Sequence, residues 1–121
     1  GISFMSGYAK LAKQLAAKIK EKSPHSFIIF GGIHSIVDSE DAIEEYVDAI
    51  CTGEGEFAFQ DFFEKFKNGN DYRKTKNFWF RWKGKIIKNS FRPLMTAEER
   101  SSLPFQKYWD GEKIYTKKRI C

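Results

Sequence analysis

A chain of 121 residues is long enough for one domain that buries roughly two-thirds of its unfolded surface around a single core. Its 41% apolar and 31% charged residues exclude a disordered or fibrous chain, and no apolar run approaches the ~20 residues of a membrane span. The net charge of +5 is spread over one helix face (Lys10, Lys13, Lys18, Lys20, Lys22), residues 65–88 and the tail Lys117-Lys118-Arg119, which reads as solvated surface rather than a nucleic-acid footprint.

The opening Gly1-Ile2-Ser3-Phe4-Met5-Ser6 carries no basic-then-apolar leader and reads as a strand entered midway; a cytoplasmic location is expected. Tyr8, Leu11, Ala12, Leu15, Ala16 and Ile19 recur at helical spacing with lysines opposite, predicting a helix over 8–22 that Pro24 ends. Phe27–Phe30 predicts the next strand, closing a β-α-β unit whose crossover is expected to be right-handed. Asp38 is placed to cap a helix over 39–46, with Ser39, Glu40 and Asp41 suiting its positive N-terminus. Val47–Thr52 predicts a strand, Gly53-Glu54-Gly55-Glu56 a loop, and residues 56–68 a helix burying Phe59, Phe62, Phe63 and Phe66 before Asn68-Gly69 stops it.

Beyond residue 70 the pattern changes. Phe78–Trp82 and Lys85–Lys88, separated by Lys83-Gly84, predict a β-hairpin. Arg92-Pro93-Leu94 then leaves the sheet, a short helix is expected over 97–101, and Leu103-Pro104-Phe105 begins an extended segment. The expected fold is α/β, with a Rossmann-like (flavodoxin-like) partial parallel sheet and flanking helices over 1–72. A hairpin extension follows over 73–96, and an irregular linker over 97–121.

The edge at Phe27-Ile28-Ile29-Phe30-Gly31-Gly32-Ile33-His34 organises the rest. A continuous apolar run of this kind suits a strand buried on both faces, and ligands of open α/β sheets bind just beyond the carboxyl ends of such strands. Paired glycines let a ligand approach the backbone closely; a tight turn after a core strand would look the same. Other constellations are weaker. Cys51 and Cys121 make neither C-x-x-C nor a zinc pattern, and Cys51 reads as a small core residue in a reducing compartment. Glu54 and Glu56 are better placed as helix-start partners than as an acid–base pair, and the glycines do not spell Gly-x-Gly-x-x-Gly or a Walker loop. Trp79, Arg81 and Trp82 could stack bases, yet a hairpin on a phenylalanine-rich core needs the same aromatics.

The ordered set of Gly1 to Ser6, Gly31-Gly32-Ile33-His34, Val47-Asp48, Gly53-Glu54-Gly55-Glu56, the hairpin, Arg92-Pro93-Leu94 and Leu103-Pro104 resembles the cobalamin-binding N-terminal domain of class B radical SAM enzymes. It is most similar to the group named after the anaerobic magnesium-protoporphyrin IX monomethyl ester oxidative cyclase. The resemblance covers nearly the whole chain. It implies cobalamin lying face-on between this domain and a radical SAM barrel, serving methyl transfer or oxidative ring closure.

Ser3 and Met5 match the family's Ser-x-Leu, with Met in place of Leu, near the nucleotide tail. Gly31 and Gly32, with Ile33 and His34 beside them, match the glycine pair along which that tail runs, and Thr52, Gly53, Glu54 and Gly55 match the adjacent cofactor-binding loop. The Asp-x-His-x-x-Gly motif of a lower axial histidine is absent, so His34 is expected to be a polar loop residue and not a cobalt ligand. The Cys-x-x-x-Cys-x-x-Cys motif is also missing. The iron–sulfur cluster and S-adenosylmethionine therefore belong to the absent barrel, and no catalytic or metal-ligating residue is expected here. The alternative reading is a non-catalytic module that contacts nucleic acid or protein through its basic helix and aromatic hairpin. A first strand reduced to a stub leaves an uncovered sheet edge, from which self-association is expected.

Overall fold

Apolar residues point to both sides of every long strand in this sequence, and a sheet of such strands has to be covered on both faces. The structure, a computed structural model describing residues 1–104, builds that arrangement. Strands β1 (Ile2–Ser3), β2 (Ile29–Gly31), β3 (Ala49–Cys51), β4 (Phe78–Trp82) and β5 (Lys85–Lys88) form one five-stranded sheet in the order β1-β2-β3-β4-β5. The first three are parallel, in register Ile2↔Phe30 and Phe30↔Ile50, while β4 and β5 are antiparallel to their neighbours. The fold is thus α/β and Rossmann-like with a mixed sheet, and the hairpin continues that sheet through the pairing of β3 with β4.

Alternation along the strands separates two cores. On one face Phe4, Ile28, Phe30 and Ile50 pack with Ala12 and Ala16 of helix α1 (Ala9–Lys22) and with Ala42, Ile43 and Val47 around helix α3 (Ser39–Ala42). On the other, Ala49, Phe78 and Phe80 pack with Ala58 and Phe62 of helix α4 (Glu56–Lys67). Phe62 stacks on Phe78 and Phe80 with ring centroids 5.4 and 5.9 Å away. The hairpin turn places Lys83 and Gly84 at φ 48° and 74°, as a two-residue turn matched to strand twist requires.

Several expected boundaries shift for tertiary reasons. The helix expected over 39–46 ends at Ala42, and a further helix, α2 (Ile33–Val37), follows the glycine pair directly. Asp38 does cap α3, its carboxylate accepting from Asp41 N–H. Lys13 and Lys20 leave the outer face of α1: Lys13 reaches Asp41 (2.7 Å) and Glu44 (3.3 Å), and Lys20 donates to Ser26 O (2.7 Å) and Asp48 (2.8 Å). Small Ala12 and Ala16 make the helix–sheet contact instead, which leaves Leu11 and Leu15 60% and 47% exposed. On α4 only Phe62 of the four expected phenylalanines is fully buried; Phe59, Phe63 and Phe66 remain exposed because the narrow sheet offers a place for one row.

The helix expected over 97–101 is present as α5 (Ala97–Ser102), opened by a capping box between Thr96 and Glu99. Of the linker expected over 97–121, the part beyond Pro104, including Cys121 and the basic tail, lies outside the described residues. Among the described residues no helix is long and apolar enough to cross a membrane.

Candidate functional site: a glycine-lined groove at the strand ends

Strands β2 and β3 run parallel and both end in glycine-bearing segments, so their carboxyl ends leave a shallow edge without side chains. That edge opens into a groove of about 520 Å³, with Gly31, Gly32 and Ile33 on one side and Gly53, Glu54 and Gly55 on the other. Ile36, Cys51, Glu56, Met95, Arg100 and Leu103 complete the lining. The segment after the hairpin therefore returns over the strand ends and closes the groove.

The four glycines differ in what they do. Gly32 sits at φ 88°, and a Cβ there would lie 2.6 Å from Phe4 O, 2.8 Å from Phe4 N and 2.9 Å from Ser3 Oγ. Its lack of a side chain is demanded by the neighbouring backbone. Gly53 is similarly confined, since a Cβ would meet the Asn77 side chain at 2.9 Å. A Cβ on Gly31 would meet nothing within 4 Å, and one on Gly55 only Cys51 Sγ at 3.7 Å. Gly31 and Gly55 are thus bare toward the groove without any internal steric need.

Asn77 holds the loop after β3 in place. Buried and at φ 64°, which Asn tolerates better than most residues, it donates from Nδ2 to Glu54 O (2.8 Å) and accepts at Oδ1 from Arg92 N–H (2.7 Å). Its own carbonyl accepts from Thr52 N–H (2.8 Å) and Thr52 Oγ1–H (3.2 Å). Glu54 then ties the returning segment, accepting from Met95 N–H at 2.7 Å with Arg100 3.9 Å away. Burial pushes the Cys51 thiol up, against the smaller lowering effect of the Gly53 backbone; Glu56 nearby raises it further. The groove therefore presents a thiol held in its neutral form, apolar side chains and exposed peptide backbone, with the carboxylates of Glu54 and Glu56 and the Arg100 guanidinium at its margin.

The remaining sequence-derived positions lie apart. Ser3 and Met5 border a separate apolar pocket of about 390 Å³ with Tyr8, Leu11 and Leu15. Thr52 is buried and spent on Asn77. His34, expected in a loop, is a buried residue of α2 whose ring nitrogens meet Ser6 Oγ at 3.1 Å and Asp41 Oδ2 at 2.8 Å. Sequence reasoning missed Ile36, Met95 and Arg100 as lining residues. Their only signal was the closeness of Ile36 to Gly32 and of Met95 to Arg92-Pro93-Leu94. Fold and groove define an α/β, Rossmann-like domain with a glycine-lined cleft at its strand ends. No protein-family model matches the chain, and no curated protein matches it.

Proposed function

We propose that this chain is the cobalamin-binding module of a radical SAM enzyme catalysing methyl transfer or oxidative cyclisation, with the iron–sulfur cluster and S-adenosylmethionine held by the partner barrel. The observation that carries the reading is Gly31: at the end of a core strand it faces a groove with nothing within 4 Å of where its Cβ would be. Open α/β sheets take ligands at this position, and two of the motifs that carry the resemblance, Gly31-Gly32-Ile33 and Gly53-Glu54-Gly55, lie on opposite walls of the groove. The residues present fit a broad, largely apolar group, because Ile33 and Ile36 are 58% and 48% exposed beside bare backbone at Gly31 and Gly55. Ile33, Ile36 and Met95 would supply apolar contact, and Glu54 would keep the returning segment over the strand ends. His34 has both ring nitrogens engaged within the protein, so it stays out of the cobalt's coordination. Bound cobalamin supplies a cobalt centre able to carry a methyl group or to take part in oxidative ring closure.

Absorbance during titration of the chain with hydroxocobalamin tests this reading. A saturable spectral shift is expected, and Gly31→Val, folded like the wild type, should bind at least tenfold more weakly, a difference of about 1.4 kcal/mol. Absence of the shift, or equal affinity in the folded variant, overturns the assignment.

A further inference from the structure

Away from the groove, three side chains from separate elements converge on one imidazole. Ser6 stands in the 3-10 turn that follows β1, where the chain passes from strand to helix. His34 lies on α2 and Asp41 on α3, the latter positioned by the Asp38 cap. His34 Nε2 is 2.8 Å from Asp41 Oδ2, and Nδ1 is 3.1 Å from Ser6 Oγ. The ring is buried against Phe4, at 5.4 Å between centroids, while Ser6 is exposed. We propose that Ser6, His34 and Asp41 form a second site, a serine nucleophile with its general base, that cleaves esters of apolar carboxylic acids.

The proton positions follow from the partners. A carboxylate only accepts, so the nitrogen facing Asp41 carries the hydrogen and Nδ1 is left with its lone pair toward Ser6. That tautomer is the one a base for the serine hydroxyl needs, with the two ring nitrogens exchanged relative to the usual triad. Hydrogen bonds from Lys13 first and His34 second hold the Asp41 carboxyl below its ordinary range, keeping it an acceptor. A strand-to-helix serine also has backbone donors beside it. The first hydrogen bond of the turn is from Tyr8 N–H to Met5 O at 2.9 Å, so Ser6 N–H and Gly7 N–H precede it and find no partner among the described residues. A Cβ on Gly7 would meet nothing within 4 Å, which leaves room for a carbonyl oxygen.

Two cavities border this segment. One, of about 390 Å³, is lined by Met5, Tyr8, Leu11 and Leu15 and suits an apolar acyl chain. The other, of about 580 Å³, exposes Ser6 and Gly7 beside Lys10, Lys13 and Glu44 and suits the alcohol half. Ser6 Oγ bonds to the ester carbonyl carbon as its proton passes to His34 Nδ1. The ester C–O bond then breaks, and the leaving alkoxide takes that proton. Water repeats the sequence on the acyl-serine, releasing the acid and restoring Ser6. Asp41 is a positioning residue that fixes the tautomer.

The full chain is treated with a fluorophosphonate probe and mapped by peptide mass, and turnover of p-nitrophenyl butyrate is followed in parallel. One adduct on Ser6 is expected, absent in Ser6→Ala. Labelling should be at least tenfold slower in His34→Gln and Asp41→Asn, with Asp41→Asn lowering kcat at unchanged KM. No adduct on Ser6 in folded wild type, or an unchanged rate in Asp41→Asn, overturns the proposal. His34→Gln removes a buried partner and can unfold the chain; Asp41, with its side chain 45% exposed, then decides alone.

Discussion

Replacing Gly32 by Ala separates backbone necessity from ligand space along the glycine pair. At φ 88° and ψ −177° the residue occupies a region essentially reserved for glycine, at a cost to any other residue of about 1–3 kcal/mol. The new methyl would also stand 2.6 Å from Phe4 O and 2.8 Å from Phe4 N. Those are main-chain atoms pinned by Phe4 N–H donating to Gly31 O (3.1 Å), so relief requires moving β1 or α2. A total near 3 kcal/mol is about a fifth to three-fifths of a typical domain's stability of ~5–15 kcal/mol. At an m-value of about 1.5 kcal/mol/M it lowers the urea midpoint by about 2 M. Gly31→Ala is the control. With open space and no left-handed backbone it should be neutral or stabilising by ~0.4–1 kcal/mol through the unfolded chain. Urea unfolding followed by circular dichroism checks both. Midpoints for Gly32→Ala and Gly31→Ala within about 0.3 M of each other would refute the reasoning, because that gap corresponds to under ~0.5 kcal/mol.

Phe62→Ala should cost about 3–5 kcal/mol, since the ring is buried between α4 and the sheet and stacks on Phe78 and Phe80. Phe63→Ala, one residue on but exposed, should stay within about 0.5 kcal/mol, and thermal melts of the pair test that contrast. Asp41 makes a pH-dependent contribution. Its folded pKa lies below the ordinary 3.8, so the stabilisation is present above that value and is lost as pH falls through the lower folded one. The melting difference between wild type and Asp41→Asn should therefore be widest near neutrality and shrink below pH 3.8; a difference independent of pH counts against the Lys13 and His34 contacts.

What the chain order alone determined is mostly local. Helical spacing placed α1 and α4, the two-residue Lys83-Gly84 link placed the hairpin, and the apolar run into Gly31-Gly32 placed the strand end where a groove opens. Each of these depends on periodicity or turn chemistry within a few residues, which sequence reports directly. Which side of a helix meets the sheet was not legible in the same way. Leu11 and Leu15 had the stronger apolar signal, yet alanines make the close contact, and Lys13 and Lys20 turn inward to carboxylates about 28 residues away in the chain.

The groove divides along the same line. Its glycine walls could be read, whereas Met95, Arg100 and Leu103 enter it only because Asn77 and Glu54 fold the later segment back over the strand ends. The contrast between Gly31 and Gly32 is also tertiary, since it depends on how close β1 lies. Two adjacent glycines are alike as letters; one faces open space and the other faces Phe4. The same holds for His34, an unremarkable letter after a turn, whose two nitrogens acquire distinct partners only when α3 and the turn after β1 close around it.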